Sequence, residues 1–161
     1  AGTVSPFALV QEIRQVFDGT VILAGSISTG AQIAASRLMG ADLAYLGTRF
    51  LATKESMVQA EYKAMVRETH AADIVYTPKV SGVNANFLRP SVEAAGLDLA
   101  SDEAHGGLDM ENEAKAWKNV WSAGHGVGAI EDEPSAAELC QRLTAEYREA
   151  MRQACNDEFA G

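Results

Sequence analysis

Two glycine turns hold the residues best suited to chemistry: Leu23-Ala24-Gly25-Ser26-Ile27 and Tyr45-Leu46-Gly47-Thr48-Arg49. Each closes a short apolar run, and each is followed by a helix-like segment. Gly25 has no side chain, so a phosphate oxygen can approach its backbone, and Ser26 adds a small hydroxyl donor. The second turn offers the N–H groups of Gly47 and Thr48 and the Thr48 hydroxyl. Thr29 and Gly30 open a helix whose first N–H groups favour an anion. Adjacent parallel strands ending in small residues can place two rows of N–H groups around one phosphate, so a phosphorylated cofactor is expected. A third glycine-rich stretch, Gly124-His125-Gly126-Val127-Gly128, follows a helix-like stretch. A dinucleotide fingerprint needs a strand before the turn and a helix after it, so this reading is rejected. The loop can instead fold over a cofactor, with His125 as a hydrogen-bonding group.

The other reactive side chains form no such constellation. His70 follows Arg67-Glu68-Thr69 at a helix end, where a solvated histidine is expected. His105 falls in an acidic loop, Ser101 to Glu113, that reads as exposed and mobile. Neither neighbours a serine or cysteine in a nucleophile motif. Asp42 and Asp73 precede strands, on the edge opposite a barrel's active site, and read as structural. Cys140 and Cys155 fall on one helix, on the order of 22 Å apart, too far to bridge. They read as buried or idle thiols in a reducing cytoplasm. No metal-ligand cluster is present.

These turns must be held by alternating elements. Ser5-Pro6 starts a helix carrying Leu9, Val10, Ile13, Val16 and Phe17, which Gly19 is expected to stop. Thr20 to Ala24 reads as a fully buried strand. Thr29 and Gln32 form a capping box for a helix through Ile33, Ala34 and Leu38, ending at Gly40. Leu43 to Leu46 is the next strand. Val58, Tyr62 and Met65 mark a helix capped near Thr53, and Asp73 to Thr77 is a third strand, stopped by Pro78. Lys79 to Arg89 reads as loop, and Pro90 to Ala95 as a short helix. Trp117 and Trp121 stand four apart on one predicted helical face. Ser135 and Glu138 box the last helix, whose stripe is Leu139, Leu143, Tyr147, Met151 and Ala154. Strands alternating with helices imply a parallel sheet with right-handed crossovers, an α/β fold.

Composition narrows the partners. The chain has 161 residues, 47% hydrophobic, enough for one core. A net charge of −9 with scattered Lys and Arg argues against a nucleic-acid surface. No apolar run approaches the roughly 20 residues of a membrane span. The first segment has neither the basic start nor the apolar stretch of a signal peptide, so a cytoplasmic location is expected.

The set Val4-Ser5-Pro6, Leu23 to Ile27, Gly40-Ala41-Asp42, Gly47-Thr48-Arg49-Phe50, Asp73 to Thr77 and Trp121-Ser122-Ala123-Gly124 resembles nitronate monooxygenases, formerly 2-nitropropane dioxygenases. The resemblance runs from Ala1 to about Tyr147 and covers the C-terminal half of the family's pattern. It implies a TIM-like (β/α)8 barrel binding FMN, which oxidises alkyl nitronates with O2 to carbonyl compounds and nitrite. It makes the two glycine turns the ends of the sixth and seventh strands. By position, Gly25 and Ser26 match the first phosphate turn, usually two glycines, and Leu46, Gly47 and Thr48 the second. His125 stands where the family often has glutamine. A full barrel needs about 250 residues. The chain therefore reads as a C-terminal half-barrel, one segment over residues 1–161, that pairs with an N-terminal half-barrel or with itself. The family's catalytic histidine is expected just before residue 1, so no catalytic base is assigned within the chain. Two other readings stay open: a related FMN barrel acting as an enoyl-reductase or NAD(P)H-dependent flavin reductase, and a non-catalytic half-barrel assembly module.

Overall fold

The computed structural model describes residues 2–97, 99 and 119–156. The predicted acidic loop, His105 and Trp117 lie outside the described residues.

Helix α1 (Pro6–Val16) starts as its sequence dictates, with Ser5 extended ahead of a proline whose φ suits the first turn. It ends before the predicted stop, because Phe17 is already extended and the Arg14 guanidinium donates to the Gly19 carbonyl across the turn, at 2.7 Å. Strand β1 (Ile22–Ala24) pairs in parallel with β2 (Leu43–Tyr45), Leu23 opposite Ala44. Helix α2 (Gly30–Leu38) makes the crossover, and its Thr29–Gln32 capping box forms as predicted. Val10, Val21, Leu23, Ile27 and Ala41 make one core between the strand pair and α1 and α2.

The expected fully buried first strand is not found. Only one face of the pair is covered. Leu23 is buried, whereas Ile22, Leu43 and Tyr45 on the other face are 56%, 54% and 66% exposed.

Beyond β2 come the single turn α3 (Thr48–Leu51) and α4 (Ala60–Glu68). The cap of α4 is Gln59, not Thr53, whose hydroxyl donates instead to the Phe50 carbonyl at the end of α3, at 2.9 Å. A 3-10 turn (Ala71–Asp73) leads into β3 (Ile74–Thr77). The predicted loop after Pro78 contains a strand, β4 (Ala85–Leu88), antiparallel to β3, with Tyr76 opposite Asn86. The described strands thus form a parallel pair and an antiparallel pair, so the all-parallel expectation holds only for the first. A short helix α5 (Arg89–Ala94) follows β4.

Trp121 is not helical. Its amide takes the Ser91 hydroxyl as acceptor at 2.9 Å, its carbonyl accepts from Leu88 at 2.8 Å, and Ser122 bridges antiparallel to Phe87. After a 3-10 turn (His125–Ala129), α6 (Ala136–Cys155) carries the second capping box, Ser135 with Glu138. Of its predicted stripe, Leu139 and Leu143 are buried, Tyr147 and Met151 half-buried and Ala154 exposed. Gly30 sits against the α6 backbone at Leu143 and Tyr147, leaving no room for a side chain. Both cysteines are exposed and unpaired, so neither is a buried thiol. No helix among the described residues is long and apolar enough to cross a membrane, and none of their His, Cys, Asp and Glu side chains gather into a metal site.

Candidate functional site

The C-terminal ends of β1 and β2 open into a cavity of about 710 Å³. Gly25, Ser26, Gly47, Thr48 and His125, all singled out in the sequence, line it together. Leu46 does not, because its side chain packs behind the sheet against the α1–α2 core.

The first turn is built by backbone conformation. Gly25 has φ +95° and Ser26 φ +58°, so two consecutive residues are left-handed. For Ser26 the conformation costs about 1–2 kcal/mol, since its Cβ crowds the following carbonyl. In the second turn Gly47 precedes α3, and a Cβ added there would meet nothing within 4 Å. The two turns meet at Gly124. Its N–H donates to the Thr48 hydroxyl at 2.9 Å, and a Cβ on it would lie 3.9 Å from the Ser26 amide nitrogen. That bond occupies the Thr48 oxygen as acceptor and leaves its O–H to donate elsewhere.

Among the described residues, none accepts from the N–H of Ser26, Gly47 or Thr48. The start of α2, expected to favour an anion, is already capped. Gly30 donates to the Glu146 carboxylate at 2.7 Å, Gln32 to the Thr29 hydroxyl, and Ser28 and Thr29 to the Gln32 side chain. The start of α2 is thus not open to an anion, and the long-range partner Glu146 is what the sequence pattern could not show.

No Asp, Glu, Lys or Arg is among the described residues lining the cavity. In a chain of net charge −9, an anion there would be held by backbone dipoles. The cations nearest in sequence turn away. Arg49, 3% exposed, pairs with Asp132 at 2.6 Å, and Lys63 pairs with Glu133 at 2.6 Å. Burial pulls the Arg49 pKa down, and the Asp132 carboxylate opposes this. Hydrogen bonding to Arg142 is the largest influence lowering the Asp132 pKa. These pairs tie residues 132 and 133 to α3 and α4, a few residues after the 3-10 turn that begins at the cavity-lining His125.

The opposite wall was missed in the sequence. It contains Tyr62, Ala85, Asn86 and Ser122. Tyr62 donates its hydroxyl to the Ser122 carbonyl and stacks on Trp121, with ring centroids 5.0 Å apart. Burial raises its pKa, which keeps it a neutral donor. Asn86 was read as loop because Gly82, Asn84 and Asn86 mask the strand signal of Phe87 and Leu88.

The family model for nitronate monooxygenase matches residues 1–146. A nitronate monooxygenase from Paraburkholderia phytofirmans is 31% identical over 157 residues, which cover 91% of this chain and 43% of that protein. Among solved structures, nitroalkane oxidase from Streptomyces ansochromogenes is similar with a TM-score of 0.74 and 28% identity, covering 94% of this chain and 46% of that one. FabK from Thermotoga maritima shares the fold at a TM-score of 0.78 and 24% identity, over 96% of this chain and 52% of that one. The chain thus spans about half the length of each of these relatives.

Proposed function

The chain belongs to the nitronate monooxygenase family, and from that premise we propose that it forms the phosphate-binding side of an FMN-dependent enzyme that oxidises alkyl nitronates with O2. The observation that carries the proposal is the pair of turns: the N–H groups of Ser26, Gly47 and Thr48 without acceptors and one oriented hydroxyl, meeting at one cavity. A phosphate ester offers acceptor oxygens and negative charge, and it fits that donor set. Gly25, Ser26, Gly47 and Thr48 would hold it, with His125 and Gly124 closing above. Leu46 would contribute only through its backbone. FMN would supply the electron transfer between nitronate and O2, and the protein supplies placement and exclusion of water.

The described lining contains no carboxylate, and its one imidazole, His125, stands where the family often has glutamine. We place the base, and much of the substrate contact, in a further segment of the full-length protein. The uncovered face of the strand pair supports this. Ile22, Leu43 and Tyr45 point where the interior of a (β/α)8 barrel would be filled by layers of side chains from other strands. This chain would then be the C-terminal half of such a barrel.

The test is to purify the full-length protein and record its flavin spectrum and O2 uptake with propyl nitronate. The proposal expects a yellow protein with bound FMN that releases nitrite. A colourless protein that takes up no FMN overturns it. Rapid flavin reduction by NADH or NADPH, with no turnover of nitronate, would move the reading to a reductase.

A further inference from the structure

We infer that Gly126 is a positioning residue for the proposed phosphate site, an inference that rests on the reading above. By leaving out a side chain it seats the His125 loop against the Gly25–Ser26 turn. Gly126 is not left-handed, so space rather than backbone conformation calls for glycine there. A Cβ built on it would lie 2.6 Å from the Ser28 Oγ, 3.2 Å from the Ser26 carbonyl carbon and 3.3 Å from the Ile27 amide nitrogen. Non-bonded carbon atoms settle at roughly 3.5–4.0 Å, so with a side chain at 126 the loop or the turn has to move.

Both sides of this contact are held. Val127, next in sequence, is fully buried in one core with Ala123 and Ile130. Ile27 belongs to the other core, between the strand pair and α1 and α2. Ser28 is 3% exposed, and its amide donates to the Gln32 side chain at 2.6 Å, which ties its backbone to the α2 capping box. Its Oγ is buried and makes no hydrogen bond with a described residue, so it meets Gly126 through shape alone. The consequence falls on the cavity, which Gly126 itself does not line. Gly124 donates to the Thr48 hydroxyl, and His125 lines the cavity between the two glycines. A methyl at 126 would press on the Ser26–Ile27 peptide. It would disturb both the left-handed Ser26 and the seating of His125 above it.

The experiment titrates the full-length protein and its Gly126→Ala, Ser28→Ala and doubly substituted variants with FMN and with riboflavin, which lacks the phosphate. The wild type is expected to bind FMN at least about tenfold more tightly, because riboflavin forfeits the charge-assisted hydrogen bonds to the phosphate. Gly126→Ala should weaken FMN about tenfold and leave riboflavin within about twofold, since the displaced loop and turn act on the phosphate end. Ser28→Ala alone should bind both flavins as the wild type does, because Ser28 does not line the cavity. Combined with Gly126→Ala it removes the nearest clash and should bring FMN back to within about threefold of wild type. A folded Gly126→Ala protein that loses both flavins in equal proportion would mark a merely structural glycine and overturns the inference. So does unchanged FMN binding by that variant, a loss of FMN in Ser28→Ala alone, or a double variant no better than the single one. If Gly126→Ala does not fold, the double variant decides: restored folding with a preference for FMN upholds the inference, and failure to fold overturns it. A wild type that binds FMN and riboflavin alike overturns the phosphate reading of the turns, and this inference with it.

Discussion

The two ends of the β1–β2 pair are made from the same strands and treat their polar groups in opposite ways. At the N-terminal end Asp42 accepts from the Val21 amide at 2.8 Å and from Arg14 at 2.5 Å. Arg14 also donates to the Gly40 carbonyl at 2.8 Å, and Arg37 donates to the carbonyls of Ala41 and Asp42. Charges and main-chain groups there satisfy one another. At the C-terminal end the amides of Ser26, Gly47 and Thr48 have no acceptor among the described residues, and Ser26 is held left-handed. The first end needs nothing beyond the chain. The second carries strain and unmet donors, a state that persists in folded proteins mainly where a ligand uses it.

The comparison predicts that substitutions at the two ends separate binding from stability. The largest effect is expected from Gly47→Ala. A Cβ there meets no atom within 4 Å, and φ is an ordinary −103°. Melting temperature should therefore not move. The methyl would occupy the space proposed to hold the phosphate, so the FMN dissociation constant of the full-length protein should rise at least tenfold, about 1.4 kcal/mol. Unchanged affinity would break the comparison. A smaller effect of mixed sign is expected from Ser26→Gly. Relief of the left-handed strain should raise stability by about 1 kcal/mol in thermal or urea unfolding. Loss of the hydroxyl should weaken FMN a few-fold. A variant that is less stable would mean that Ser26 is not strained.

How much of this was legible follows from the range of each signal. The glycine turns, both capping boxes and the alternation through β3 are local patterns, and they could be read from neighbouring residues. Gly25, Ser26, Gly47 and Thr48 were singled out by the local composition of a glycine turn and His125 by its glycine-rich loop, and the structure brings the five to one cavity. What escaped depends on contacts far along the chain. Glu146 caps α2 across 116 positions, which removes that helix start from the cradle. Trp121 reads as helical, but Ser91 and Leu88 draw its backbone into an extended bridge. Asn86 lies on a strand of four residues whose partner, β3, is antiparallel, the reverse of what the preceding alternation suggests.

The smallest prediction concerns the satisfied end and its dependence on pH. The Val21 amide, then the Arg14 guanidinium, hold the Asp42 carboxyl below the ordinary aspartate value. A carboxylate with a depressed folded pKa contributes stability that is fully present above its unfolded pKa, about 3.9, and that is lost as pH falls through the folded value. Asp42→Asn should therefore lower the melting temperature near neutral pH. The gap from wild type should close as pH is taken below about 4. Asp132 and Glu138 are depressed as well, so both proteins lose stability in acid, and only the difference between their curves reports Asp42. FMN affinity at neutral pH should be the same in both, because Asp42 sits at the far end of the strands from the glycine turns. A gap that stays constant down to pH 2, or a weakened flavin affinity in a folded Asp42→Asn protein, would show that the two ends are not separable.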